Sequence, residues 1–397
     1  MQANAVLVRD IAYRGFRTAT QFGAGTGDGV AVSGDTLVLA TPLAVRDETD
    51  PHSRVTATYD FGMWTSPPVS PGFAATEIIP SWTADTPPGC WIQVELRGTT
   101  PQGATTPWFV LARWTAEEAG ISRSSVPAQS GPDGSVAADI LITAADRPLT
   151  AWQLRVTLLR PAGTLLTPVL RSAGAVASRL PGPVATLPSA PQTARGAILD
   201  VPRYSQKTHA GHHPEWGDGG ESWCSPTSTS MVLAFWGVGP TPGDYAWVGP
   251  DHADPWVDHA ARHCYDHAYG GTGNWPFNTA YAGRYGLDGF VTRLRSLAEA
   301  ELFIAAGIPL IVSASYTKDQ ITGLDYDTAG HVMVLVGFTA SGDPVLHDPA
   351  APTNDAVRRP VPRAAFETAW LDSSRGLVYV IRPAAVPLPP SPPQANW

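Results

Sequence analysis

The sequence predicts an α+β protein in two parts, an all-β sandwich with a jelly-roll-like arrangement followed by a mixed domain. Three observations lead there. Strand-like alternation recurs up to about residue 180 with no helix pattern between the repeats. A stretch rich in Pro and small residues, without any period, follows at 181–195. Beyond it, helix patterns alternate with strands. A chain of 397 residues also exceeds what one compact core organises. The expected divisions are 1–180 for the sandwich, 181–195 for a linker, 196–382 for the mixed domain and 383–397 for a proline-rich, extended and mobile tail.

In the first part, Trp91–Arg97 and Gln153–Leu158 alternate apolar with polar residues, the period of a strand with one buried face. Val30–Ala40, Arg54–Phe61, Trp108–Trp114 and Ala138–Thr143 add further strands. Trp64, Trp82, Trp91, Trp108 and Trp114 are read as sandwich core, the alternative being an aromatic platform for a sugar or polymer. The glycine-rich Gly23–Gly29 lacks the Lys-Ser/Thr of a phosphate loop and is read as a turn.

Composition narrows the partners. A net charge of -9 without a Lys/Arg run excludes a nucleic-acid surface. No apolar run is long enough to span a bilayer, and Met1–Val8 lacks the basic start of a secretory signal. Three cysteines, Cys90, Cys224 and Cys264, are too few and too odd for a disulfide framework and leave at least one thiol free.

The second part is organised around Trp223-Cys224-Ser225-Pro226 and the run to Gly237, which reads as a helix entered at a cysteine. Ser225 is the expected cap, Pro226 suits the first helical position, where its missing N–H has no partner, and Gly237 suits a left-handed stop. A thiol at a helix N-terminus is pulled toward the thiolate, the form that attacks carbonyls. A buried structural cysteine is the other reading of the same residue. Farther on, Ser296–Glu299 is a capping box opening a helix that stops at Gly307, and Leu310–Tyr316 is a buried strand.

His331 begins a strand that turns at Thr339–Gly342 and returns through Asp343–Pro349. With the turn centred between Ala340 and Ser341, Asp348 falls opposite Met333 and becomes a diagonal neighbour of His331. Cys224, His331 and Asp348 then supply a nucleophile, a base and a group that fixes the base's tautomer.

The runs Val201–Gln206, Trp223–Ser228, Gly330-His331 and His347-Asp348-Pro349 resemble those of papain-like cysteine peptidases of the C39-like, bacteriocin-processing type. The likeness extends to the stand-alone bacterial branch with a β-sandwich ahead of the peptidase domain, where Gly270–Asn278 and Val291–Leu294 are also familiar. The resemblance implies Cys224 as nucleophile, His331 as general base, Asp348 as orienting acid and Gln206 as side-chain donor to the oxyanion. Gln206 departs from the papain pattern, because it lies eighteen residues ahead of Cys224 rather than about a helical turn and a half. The implied activity is hydrolysis of peptide or isopeptide bonds, with a peptide or protein substrate, a cell-wall-associated one included, and export from the cell. No cofactor is called for. Two other readings stay open: an acyl transferase using the same three groups, and a surface-polymer binding protein whose second domain is inactive.

His259, His263 and His267 fall four residues apart after Asp254-Pro255 and share one helix face, with Cys264 and Asp266 nearby. Two histidines four apart have zinc-ligand spacing, but the glutamate of His-Glu-x-x-His is absent, which argues against a metalloprotease; the expectation is a polar helix face with no metal assigned, a structural metal site being the alternative. His209, His212 and His213 lie in a glycine-rich loop, either lining the cleft near Cys224 or exposed.

Overall fold

The computed structural model describes residues 9–182 and 188–397. Up to Arg179 the chain forms two antiparallel sheets, eight-stranded and seven-stranded among the described residues. Trp91–Thr99 and Ala151–Pro161 are central in the second sheet, paired along nine residues from Trp91↔Leu159 to Thr99↔Ala151. Glu77–Asp85 and Val169–Arg179, which carry no clean alternation, are central in the first. Their burial on both faces erases the period-two signal. Val30–Ala40 is a hairpin rather than one strand, turned at Gly34 with φ 55°. Gly23–Gly29 is not simply a turn, since Gly23 closes the short helix Ala19–Gly23 and Thr26–Asp28 pairs with Met63–Thr65.

Trp64, Trp82, Trp91 and Trp114 are all buried in the core. Trp108 is half-buried, with the guanidinium carbons of Arg97 and Arg155 at 4.6 and 4.3 Å from its ring centre.

The second part is built on a six-stranded antiparallel sheet in the order Leu287–Arg293, Leu377–Pro383, Leu310–Tyr316, Thr328–Phe338, Pro344–His347, Arg358–Pro360. Strand alternation divides its two faces. Val332, Val334 and Val336 join one core with Met231, Val232 and Phe277 from the helices Cys224–Phe235 and Trp275–Gly283. Met333 and Leu335 join the other, with Phe303 and Trp370 from the helices Leu297–Ala305 and Arg363–Ser373. The first of these cores runs without a break into the sandwich, where Phe277 meets Trp114 and Trp82 edge-on at 5.3 and 6.1 Å. Burying an aromatic of that size stabilises by about 2–3 kcal/mol, so the sandwich and the cysteine helix are braced through one ring.

Polar contacts follow the same boundary. Asp139 accepts from the Trp275 N–H at 3.1 Å, Asp266 accepts from the Ser125 N–H at 2.9 Å, and Arg293 pairs with Glu77 at 2.8 Å.

The expected mobile tail is anchored instead. Asn396 is fully buried and donates to the Arg293 carbonyl and to Glu299, while Trp397 stacks edge-on against Phe303. Proline-rich composition describes the local backbone; these contacts reach about a hundred residues along the chain and no local pattern encodes them.

Candidate active site

The helix Cys224–Phe235 starts at the cysteine, with Trp223 in the capping position and no side-chain cap. The expected cap, Ser225, is turned inward instead, its hydroxyl 3.0 Å from the Tyr379 hydroxyl. Pro226 is the third residue of the helix rather than the first, still within the turn whose N–H groups lack helical partners, and Gly237, at φ 70°, follows the last turn. The run of small hydroxyl residues lets this helix lie close on the sheet. Ser228 donates to the Val332 carbonyl at 3.2 Å, and Thr229 donates to Asn278 at 3.2 Å. The first of these bonds ties the cysteine helix to the strand that carries His331.

On that strand a bulge decides which side chains meet. Near the turn the pairing is Phe338↔Pro344 and Gly337↔Val345; after the extra residue Val336 it becomes Leu335↔Leu346 and Val334↔His347. Carried one step on, the second register sets Asp348 opposite Met333, two residues from His331 and on its face. The first register would have set it opposite Val334, on the other face. The expected neighbourhood is therefore reached by a turn one half-step away from the expected centre and a bulge that restores the difference.

His331 donates from Nε2 to Asp348 Oδ1 at 2.8 Å, which leaves Nδ1 to interact with the Cys224 sulfur. Oδ1 of Asp348 also accepts from the Tyr326 hydroxyl at 3.0 Å and the Ala350 N–H at 2.9 Å, and Arg359 lies 3.7 Å from Oδ2. Tyr326 in turn accepts from Tyr316 at 2.5 Å. Neither tyrosine nor Arg359 stands out in the sequence; only the folded hairpin brings them to Asp348.

Charges balance around this line. Burial works against the Cys224 thiolate, but the hydrogen bond and charge of His331, with the Val332 and Ser225 N–H groups, prevail and hold the thiol below its ordinary value. Burial alone would lower His331; its bonds to Asp348 and Cys224 reverse that and push it up to about 9. Burial would likewise raise Asp348, and the bond from His331 holds it low. Cys90 and Cys264, buried without such partners, are both raised, Cys90 to about 11. The combination favours a thiolate facing an imidazolium.

Cys224 and His331 line a cavity of about 720 Å³, together with Gln206, Tyr269, Trp275 and Asp327. Gln206 is buried, and its side-chain amide donates to the Glu221 carbonyl.

The histidine runs take other roles. His259 and His263 lie on the helix Pro255–Cys264 with rings 4.1 Å apart, but they face the interior and the sandwich rather than solvent. His263 Nδ1 is 2.9 Å from the Ala116 carbonyl and His259 Nδ1 is 2.9 Å from the Tyr281 hydroxyl. His267 does not share their face, because the helix ends at Cys264; it pairs with Glu118 at 3.1 Å. His209 is fully buried, neither cleft-lining nor exposed, and both it and His212 turn toward Asp258.

Two family models match the chain. The Peptidase C39 N-terminal domain matches residues 12–178, and the Peptidase C39-like family matches residues 198–378. Residues 198–378 thus form a peptidase C39-like domain, with a C39 N-terminal domain ahead of it. No curated protein matches the chain. Among solved structures, a Clostridium thermocellum xylanase 10B fragment (CBM22-1 and GH10 modules with xylohexaose) is 10% identical at TM-score 0.19, over 50% of this chain and 32% of its own. A structure from work on promiscuous carbohydrate-binding modules of the β-sandwich superfamily is 12% identical at TM-score 0.16, over 42% and 60%. The C39-like chain thus spans less than two thirds of either structure, and likenesses this weak carry no argument.

Proposed function

We propose that the C39-like domain is a papain-like cysteine peptidase that hydrolyses peptide or isopeptide bonds, placed behind a jelly-roll-like sandwich. The observation that carries this reading is that Cys224 and His331 line one cavity and interact there, while His331 is hydrogen-bonded to Asp348.

In this mechanism the Cys224 thiolate attacks the carbonyl carbon and the carbonyl π electrons move to oxygen. The oxyanion is held by the Cys224 N–H and by Gln206, whose amide carries a second N–H beyond the one given to Glu221. His331 passes its Nδ1 proton to the departing amine as the C–N bond breaks. A water, deprotonated by the same nitrogen, then releases the acid from the thioester. Asp348 keeps the Nε2 proton on its own side throughout, so only Nδ1 takes part in transfer. The substrate is a peptide or protein, with cell-wall-associated proteins as the proposed class, encountered outside the cell. The burial of five of the six sandwich tryptophans, all but Trp108, counts against an aromatic sugar platform.

The test is incubation of the purified chain with a mixed peptide library, read by mass spectrometry with and without an added amine. New termini generated by the parent and absent from Cys224→Ala support hydrolysis. Amine adducts in place of free acids would make the protein a transferase, and an unchanged library would remove the enzyme reading.

A further inference from the structure

Outside the cavity, a second buried carboxylate gathers imidazoles. Asp258, on the helix Pro255–Cys264, accepts from His209 Nδ1 at 2.9 Å and from His212 Nδ1 at 2.8 Å, one ring on each oxygen. Asp258 and His209 are both 0% exposed, while His212 reaches the surface. Each of the three residues offers a ligand atom, and these atoms lie within 4.8 Å of one another. We infer that His209, His212 and Asp258 bind a divalent cation of the zinc class, which fastens the loop between Gln206 and Cys224 to the helix Pro255–Cys264.

The argument is first one of charge. A buried carboxylate is ordinarily paired with a cationic side chain or bound to a metal. Among the described residues, Asp258 has no Lys or Arg within ion-pair distance; the two imidazoles are its partners. The site therefore holds a carboxylate with no permanent counter-charge, at a point where two nitrogens already converge.

The donor set then selects the ion. Two imidazole nitrogens and one carboxylate oxygen suit zinc, cobalt or nickel, whereas magnesium and calcium prefer oxygen shells. Three protein ligands leave a fourth tetrahedral position for water, and His212, at the solvent end, marks where it enters. Binding balances without redox change. Each neutral ring moves its proton from Nδ1 to Nε2 and gives the Nδ1 lone pair to the cation. Nε2 of His209 has no partner in either tautomer, so the exchange loses nothing there.

Position gives the site a consequence. His209 closes the short 3-10 helix Gln206–His209 that begins at the cavity-lining glutamine. Its ring also lies 6.1 Å from that of Trp223, the residue before Cys224. A cation here would hold the Gln206 end of the loop that brings Gln206 and Cys224 to one cavity, with the His209 ring set beside Trp223 at the other end.

The test uses the full chain carrying Cys224→Ala, so that no thiolate at the cavity competes, stripped with a chelator and titrated with Co²⁺ and Zn²⁺. Expected are a visible Co²⁺ d–d band saturating at one ion per chain, without a thiolate charge-transfer band, and a rise in Tm with Zn²⁺. In His212→Ala, at a ring that reaches solvent, the affinity falls at least ~100-fold, as much as losing an outer-shell partner can cost. Asp258→Asn does the same, and His267→Ala keeps full binding. Absence of the band in the parent would overturn the assignment, as would its persistence in His212→Ala or its loss in His267→Ala.

Discussion

His331 and His259 are both buried imidazoles within the C39-like domain, and they titrate in opposite directions. Burial lowers each of them. At His331 the neighbours are Asp348 and the Cys224 sulfur, and the ring is pushed up to about 9. At His259 the charged neighbours include Arg284, Arg262 and Arg123, only Asp244 opposes them, and the ring is held down at about 3. What separates the raised imidazole from the lowered one is the company each keeps: Asp348, delivered by the bulge at Val336, and the Cys224 sulfur at one, arginines at the other.

The most severe way to break that contrast is Asp348→Asn. It should lower kcat on the order of 10⁴-fold, as losing the orienting carboxylate does in a serine triad. It should also pull the alkaline limb of kcat/KM from near pH 9 back toward the ordinary histidine range. The sign follows from the raised value: imidazolium is favoured in the folded protein, so its stabilisation is complete below ordinary histidine values and lost as pH rises through about 9. An alkaline limb that stays in place would falsify the coupling.

The opposite limb of the comparison predicts acid sensitivity. Because His259 is lowered to about 3, the unfolded chain binds its proton first, and stability is lost as pH falls from the ordinary value toward that figure. His259→Gln should remove a penalty of about 2–4 kcal/mol at low pH and move the acid-unfolding midpoint downward, read by circular dichroism. No movement would mean the ring is not held neutral.

Gly337→Ala tests the bulge. An added Cβ would meet the Ala197 carbonyl at 2.3 Å and Ile198 Cα at 2.6 Å, backbone atoms that cannot swing aside. The expected cost is about 1–3 kcal/mol, seen as a lower Tm. Smallest is Tyr326→Phe, which removes one of three donors to Asp348 Oδ1. About 1 kcal/mol is at stake, so kcat should fall several-fold while the pH limb stays near 9.

Where the sequence was informative, the signal was local. Ser296 caps Glu299, Gly307 stops that helix at φ 77°, and Leu310–Tyr316 is the strand that follows. The cysteine helix was legible for the same reason. The hairpin could be aligned because a short turn leaves few registers, although the bulge itself has no marker in Leu335-Val336-Gly337 beyond the glycine. Partners fixed by tertiary contacts were not legible. Ser225 caps nothing because Tyr379 takes its hydroxyl, and His267 leaves its helix face where its N–H finds the Arg123 carbonyl at 3.1 Å. Asp258 joins His209 and His212 across more than forty residues.

The tail that folds back beside Phe303 also reaches the opening strand of the sandwich. The Ala395 carbonyl accepts from the Tyr13 N–H at 3.0 Å, and Gln394 accepts from the Ile11 N–H, 383 positions earlier. A ribosome delivers these two ends far apart in time. The sandwich can pair its own strands as it emerges, but the outer flank of the strand Asp10–Phe16 must wait until Gln394 and Ala395 have been made. Assembly therefore closes like a drawstring, with Gln394 and Ala395 completing the flank of a strand laid down some 383 residues earlier.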